Sequence, residues 1–376
     1  MEALNRAAKP LYDDAGAPGP VAFPQLVPEQ GRTQRVGRVI ERVTQLPFSP
    51  VAMKILQAAW DERAGARDMA KVIVLDQAFT ARLLRIANSP YYGQSRDVTT
   101  VSQAVSILGM DAIASLALTL FTFGSVPEED SETLSIGALW EHSLGSAVWA
   151  RAIAARVGRV AAEEAFIAGM LHDMGKVLLY RFFKKELLEA VGIAEAEGLA
   201  LAEAERRVLG TDHAVVGQAA ANQWGFPPLL RYAIAFHRAP GETPGDAGDA
   251  VRKIVAIVHV ADLLSEASEI GYGGERGDEP IDPAVWPLLK LGEDDCREML
   301  GPVLAEIEKS REIFALAMGW KHAPKKKAGG ARRANGKSPP PPAAAAVEGA
   351  AYFSRFVEAG KQIAVLAGLD ELLPNI

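Results

Sequence analysis

The stretch Ala168-Gly-Met-Leu-His-Asp-Met-Gly-Lys-Val-Leu-Leu179 decides how this chain folds and where its chemistry can sit. An apolar run ends on the adjacent pair His172 and Asp173. An imidazole and a carboxylate therefore leave the backbone at one point, which is useful mainly to a metal or a proton. Gly175 is expected to end or bend the helix there, and Lys176 adds a fixed positive charge. The pair gains weight from what surrounds it. The chain has six histidines, and four of them, His142, His172, His213 and His237, form an ordered series that Asp262 closes.

A lone histidine on an apolar helix is ordinarily a satisfied core residue, and each member of the series has that reading when taken singly. Taken together, four imidazoles and the carboxylates of Asp173 and Asp262 form a donor set suited to iron, manganese or zinc. Six donors serve one ion, or two ions bridged by Asp173. Such a pair activates water towards a phosphoryl group, and Lys176 can orient the phosphate as a point charge. Without a metal, Lys176 reads as an ordinary lysine at a helix end.

Working outward, the periodicity is helical throughout. Val36, Val39, Ile40 and Val43 repeat at helical spacing. Leu46-Pro-Phe-Ser-Pro50 stops that helix, and Pro50 fits the first turn of the next. Helices are predicted over Val51–Trp60, Met69–Leu75 (with Asp68 as its cap), Phe79–Ala87, Val101–Leu108 and Ala112–Phe123. Downstream they are predicted over Leu139–Val157, Ala161–Leu171, Gly175–Ala196, Leu201–Leu209, His213–Gln223, Pro228–Phe236 and Val251–Ser268. No alternating strand pattern interrupts them, so the fold class is all-α in two helical lobes.

The domain plan follows from composition. Residues 1–31 are rich in proline and read as a flexible leader. Residues 32–126 form an N-terminal lobe, and 127–320 a second lobe that carries the histidine series. Residues 321–346 hold seven basic residues, no acid and a run of prolines, and read as a disordered linker. Residues 347–376 read as a terminal helix with Phe353, Phe356 and Val357 on one face. The bland reading of that helix is docking on the body; the sharper one is a tethered helix for a partner's groove.

With 49% hydrophobic residues the chain can bury a sizeable core, and a net charge of −7 argues against nucleic acid as a partner of the body. Cys296 stands alone, which rules out an intramolecular disulfide and fits a reducing cytoplasm. Met1 to Gln30 shows no basic region followed by an apolar run, so no signal peptide is expected. The weakly charged stretch from Val98 to Pro127 is broken by Gly109 and carries Asp111. It reads as buried helices rather than a membrane span.

The ligand series resembles that of the HD superfamily of metal-dependent phosphohydrolases. The upstream segments are more diagnostic. Leu46-Pro-Phe-Ser-Pro50, Leu83-Leu-Arg-Ile-Ala-Asn-Ser-Pro90, Ala104-Val-Ser-Ile-Leu-Gly109 and Leu139-Trp-Glu-His-Ser-Leu144 together resemble the HDOD domain, a bacterial signalling-output relative of those enzymes. The resemblance implies a two-lobed HDOD fold with an HD-like second lobe. It also implies a regulatory role in signal transduction through a protein partner. HDOD domains often lack some metal ligands, whereas this chain has a candidate at every position of the series. The related HD-GYP phosphodiesterases carry a second histidine and a Gly-Tyr-Pro turn after the position of His237. Here Arg238-Ala-Pro-Gly follows instead, which argues against cyclic di-GMP hydrolysis by that route. The resemblance favours a regulatory module with a structural or vestigial metal site over an enzyme. The alternative is a phosphohydrolase acting on a nucleotide or phosphodiester, with Asp173 and Lys176 as its working residues.

Overall fold

The computed structural model describes residues 30–318, apart from 46–47, 62, 90–91, 93–96, 125, 127–132, 159 and 276–278. The expected basic linker and terminal helix, and all but the end of the expected leader, lie outside the described residues. Among the described residues every regular element is helical. They divide into two compact units, one over 48–121 and one made of 30–45 and 122–318.

The first unit holds α2 (Pro50–Trp60), α3 (Ala66–Ile73), α4 (Gln77–Ala87), α5 (Val101–Leu108) and most of α6 (Met110–Thr122). Local chemistry sets the ends. Ser49 caps α2 by accepting the Ala52 N–H, and Pro50 takes the first helical position. Asp76 caps α4 in the same way, and Thr100 with Gln103 forms a capping box on α5. Asp68 is not the cap of α3. It lies one turn inside, and its carboxylate accepts the backbone N–H of Gly65. Asn88 closes the connection after α4: its amide donates to the carbonyls of Leu84 and Val98 and accepts the Val98 N–H at 2.7 Å. Ile55, Leu56, Met69, Ile73, Leu83, Ile86 and Ile113 are buried. Residues 113–120 of α6 are buried on every side. Among the described residues no single helix is long and apolar enough to cross a membrane, and α5 and α6 meet at a 104° bend.

The second unit is built on α7 (Ile136–Val157), against which α8 (Ala162–Leu171), α14 (Asp249–Ala267) and α16 (Glu293–Met318) pack. Then come α9 (Met174–Phe182), α10 (Lys184–Glu197), α11 (Leu201–Leu209), α12 (His213–Gln223) and α13 (Pro228–Phe236), with the short α15 (Val285–Leu289) after α14. Two departures from the sequence reading matter. The single helix expected over Gly175–Ala196 is two. Phe183 leaves helical geometry (φ −138°, ψ 40°), so that α9 packs on α12 while α10 pairs with α11. The helix α1 (Gln30–Thr44), expected in the first lobe, packs on α9, α11 and α12 of the second unit, and Arg35 donates to the Val208 carbonyl. Its apolar face, Val39 and Val43, is buried there.

Gly175 neither ends nor bends a helix. It sits in the first turn of α9, where a Cβ would lie 1.9 Å from the carbonyl oxygen of His213. Only hydrogen fits, and this close approach brings the start of α12 against the start of α9. Gly169 does the same between α8 and α7, where a Cβ would come within 2.9 Å of three backbone atoms of Ser146 and Ala147. The two glycines draw the helices that carry the histidine series to one centre.

Candidate metal centre

Each member of the series reaches that centre from a different element. His142 projects from the body of α7 and Asp262 from α14. His172 and Asp173 occupy the turn between α8 and α9. His213 opens α12, and His237 follows the last residue of α13. All six are buried, with at most 1% of each exposed.

Asp173 stands in the middle. Its Oδ2 lies 3.5 Å from His142 Nε2 and 3.4 Å from His172 Nε2. Its Oδ1 lies 3.6 Å from His213 Nε2 and 3.5 Å from His237 Nε2. Asp262 Oδ1 closes the first group at 3.0 Å from His142 Nε2 and 3.3 Å from His172 Nε2. The rings lie 5.0–5.4 Å apart in sequence around the centre. The donors thus form two groups that share one carboxylate, and each group is compact enough to hold an ion.

The donor atoms fit a metal on a second ground. The Nε2 atoms of all four histidines, with Asp173 Oδ1 and Asp262 Oδ1, are buried and find no hydrogen-bond partner outside the cluster. Six such atoms aimed at one point are costly unless a cation satisfies them. Three of the four other ring nitrogens are engaged, and His142 Nδ1 forms no hydrogen bond. His172 Nδ1 meets the Gly169 carbonyl at 2.6 Å and His237 Nδ1 the Ile234 carbonyl at 2.9 Å. His213 Nδ1 meets Glu205 Oε2 at 2.7 Å. An N–H on Nδ1 leaves the Nε2 lone pair facing inward, the arrangement outer partners give to metal-ligating histidines.

Without an ion the cluster is held by protons. Burial lowers the pKa of His142, but the neighbouring Asp173 and Asp262 outweigh it and push it up to about 9. The same contest pushes His172 up to about 10. Burial wins at His237, which falls to about 4. Asp173 and Asp262 are held well below the ordinary carboxylate range: burial opposes this, while Lys176 and His172 beside Asp173, and His172 and Arg238 beside Asp262, prevail.

Lys176 is not free to meet a ligand. It is 1% exposed, and its Nζ donates to Asp173 Oδ2 at 2.7 Å and to both oxygens of Glu275 at 2.6 and 2.7 Å. Burial disfavours its charge, yet these carboxylates raise its pKa further. Beside it, Arg238 donates to Asp262 Oδ2 at 2.9 Å and Glu266 Oε1 at 3.0 Å, and pairs with Glu279. The connection after α14 lies directly on the site. A Cβ on Gly271 would come within 2.2 Å of the His142 backbone nitrogen, and one on Gly273 within 3.1 Å of the His142 ring. His259, outside the series, braces the same region: Nδ1 meets the His237 carbonyl at 2.7 Å and Nε2 accepts the Asp282 N–H at 3.0 Å. Glu205, Glu266, Glu275 and Arg238 were not singled out from the sequence. Only Arg238, next to His237, had a signal there.

Comparison with known proteins gives the family. The HDOD domain family matches over residues 46–240, just over half of the chain. The chain belongs to the HDOD family. The matched span contains five of the six donors and Lys176, and Asp262 lies beyond it. The chain is similar in structure to an HDOD domain protein of unknown function from Geobacter sulfurreducens, with 29% identity and a TM-score of 0.57. That match covers 76% of this chain and 97% of the other. A protein from Marinobacter aquaeolei described as a signal transduction protein shares the fold, with 20% identity, a TM-score of 0.63, and 78% and 67% of the two chains covered. An uncharacterized protein of Treponema pallidum is 22% identical over 207 residues. That match spans 54% of this chain and 40% of the relative, less than half of its length.

Proposed function

We propose that this HDOD protein is a regulatory module that acts on a signalling partner protein. In this reading one or two divalent ions, iron, manganese or zinc, are held by His142, His172, Asp173, His213, His237 and Asp262 and fix the second unit. The observation that carries it is the burial of all six donors under a connection whose Glu275 already engages Lys176. Ligands so enclosed suit a structural ion, because a catalytic site keeps a position open to substrate. Charge supports the ion. The buried carboxylates of Asp173, Asp262, Glu205 and Glu275 outnumber the fixed cations Lys176 and Arg238, and without an ion protons on His142 and His172 make up the difference. A bound metal takes the place of those protons.

A second reading has its own observation. Asp173 offers one oxygen to each histidine pair, as a carboxylate bridging two ions does, and this favours a phosphohydrolase acting on a nucleotide or phosphodiester. The two readings part on turnover. A hydrolysis screen of nucleotides and phosphodiesters, with manganese or iron added, is expected to show metal-loaded protein without turnover. Hydrolysis that disappears in Asp173→Ala overturns the regulatory reading.

A further inference from the structure

Helix α1 carries an arginine stripe. Arg35, Arg38 and Arg42 follow one another at intervals of three and four residues, which sets them within an arc of about 60° on a helix. All three are exposed. Like charges at this spacing repel. The contacts they make are uncharged: Arg35 donates to the Val208 carbonyl at 2.8 Å, and the Arg42 guanidinium lies over the Phe182 ring, 5.3 Å from its centre. Among the described residues no carboxylate pairs with any of the three. Glu41, the acid of the helix, lies outside the arc and accepts from Gln45. Elsewhere in the second unit Arg151, Arg156, Arg206 and Arg207 each pair with a carboxylate. The chain has 47 acids against 40 lysines and arginines, so a stripe left without acids runs against its composition. Phe182 adds order to it. Arg181 of α9 lies over the same ring at 5.4 Å, and a guanidinium stacked on a ring keeps its N–H edge turned outward.

We propose that the arginine face of α1, with Phe182 at its end, is the docking surface for an acidic, carboxylate-rich segment of the partner protein. Arginine forks match carboxylates two bonds at a time. Arg35 and Arg42 are seven positions apart, so the stripe runs about 10 Å at the helical rise, the length of a short segment. A nucleic acid needs a longer track of phosphates and meets a chain of net charge −7. A lipid surface wants exposed apolar anchors beside the charges, and the exposed large apolar residues, Val74 and Leu75, belong to the other unit. The inference rests on the regulatory reading, whose partner it describes, so its test reads docking alone, apart from turnover and metal.

The full-length chain is titrated by fluorescence anisotropy against a labelled peptide of about twelve residues, half glutamate and half alanine, at physiological salt. Single-stranded DNA of similar length and phosphatidylserine vesicles are run beside it. The wild type is expected to bind the peptide, and Arg38→Glu/Arg42→Glu to weaken binding at least about tenfold. Arg85→Glu/Arg252→Glu changes the net charge equally at exposed positions elsewhere and is expected to leave the affinity within about twofold. Should Arg38→Glu/Arg42→Glu not fold, Arg38→Gln/Arg42→Gln takes its place and is expected to weaken binding beyond the twofold of the control. A wild type that binds no peptide overturns the proposal. So does peptide binding that survives in the stripe variant, which assigns it to the basic run over 321–346, or that falls equally in the control pair. DNA or vesicle binding that depends on Arg38 and Arg42 where peptide binding does not also overturns it. Hydrolysis that disappears in Asp173→Ala would remove the regulatory reading and leave the stripe's affinity for the peptide as measured.

Discussion

Asp173 is the residue on which both halves of the cluster depend, because each of its oxygens faces a different histidine pair. The histidines around it set a pH signature. His142 and His172 bind protons more tightly in the folded, metal-free protein than their ordinary value of 6.5. Their share of its stability is full below that value and is lost as the pH rises through 9 to 10. His237 has the opposite sign: its pKa is depressed, so acid below 6.5 charges the unfolded chain first and costs stability down to about 4. In the proposed reading a metal replaces the protons on His142 and His172. Titrating metal-free protein with zinc at neutral pH in weakly buffered indicator solution is expected to release about two protons per chain. No release contradicts ligation by these residues. Glu205 gives a sharper test of one half. Its Oε2 accepts the His213 backbone N–H at 2.8 Å and meets the ring at 2.7 Å. Glu205→Gln is expected to weaken metal affinity about 10- to 100-fold in competition with a chelator. Unchanged affinity shows that Glu205 does not orient His213.

At the scale of the helices, the site depends on close crossings rather than long contacts. Gly175→Ala places a methyl group 1.9 Å from the His213 carbonyl oxygen, so α9 and α12 must separate. The expected cost is about 3 kcal/mol or more, read as a fall in the denaturation midpoint and weakened metal binding together. A variant as stable as the wild type contradicts the close approach. The helices themselves were largely legible, because apolar residues at helical spacing and caps such as Ser49, Asp76 and Thr100 are local signals. What escaped was tertiary. No glycine or proline marks the break at Phe183; it follows from α9 and α10 packing on different neighbours. Nor does the periodicity of Val39 and Val43 say which unit buries them, and α1 joined the second. Gly175 looked like a helix breaker because its role lies in contact with His213, a residue 38 positions on.

For the whole molecule, the donor set was legible because histidine is rare here, and four of six histidines fell in one ordered series. Its surroundings were not. Glu275 reaches Lys176 across 99 residues, and an acidic residue in a glycine-rich loop carries no local sign of such a contact. The consequence is a closed cluster, with all six donors and their braces in the second unit. An ion bound there stabilises that unit by mass action, about 2.7 kcal/mol at a hundredfold excess over its dissociation constant. The measurement that bears most directly on the central claim is the metal content of the full-length chain, purified without chelator and then offered manganese, iron and zinc, beside that of Asp173→Ala. One or two ions per wild-type chain and none in Asp173→Ala is the predicted result. A folded wild-type chain that takes up no ion, or an Asp173→Ala chain that retains the full complement, contradicts it.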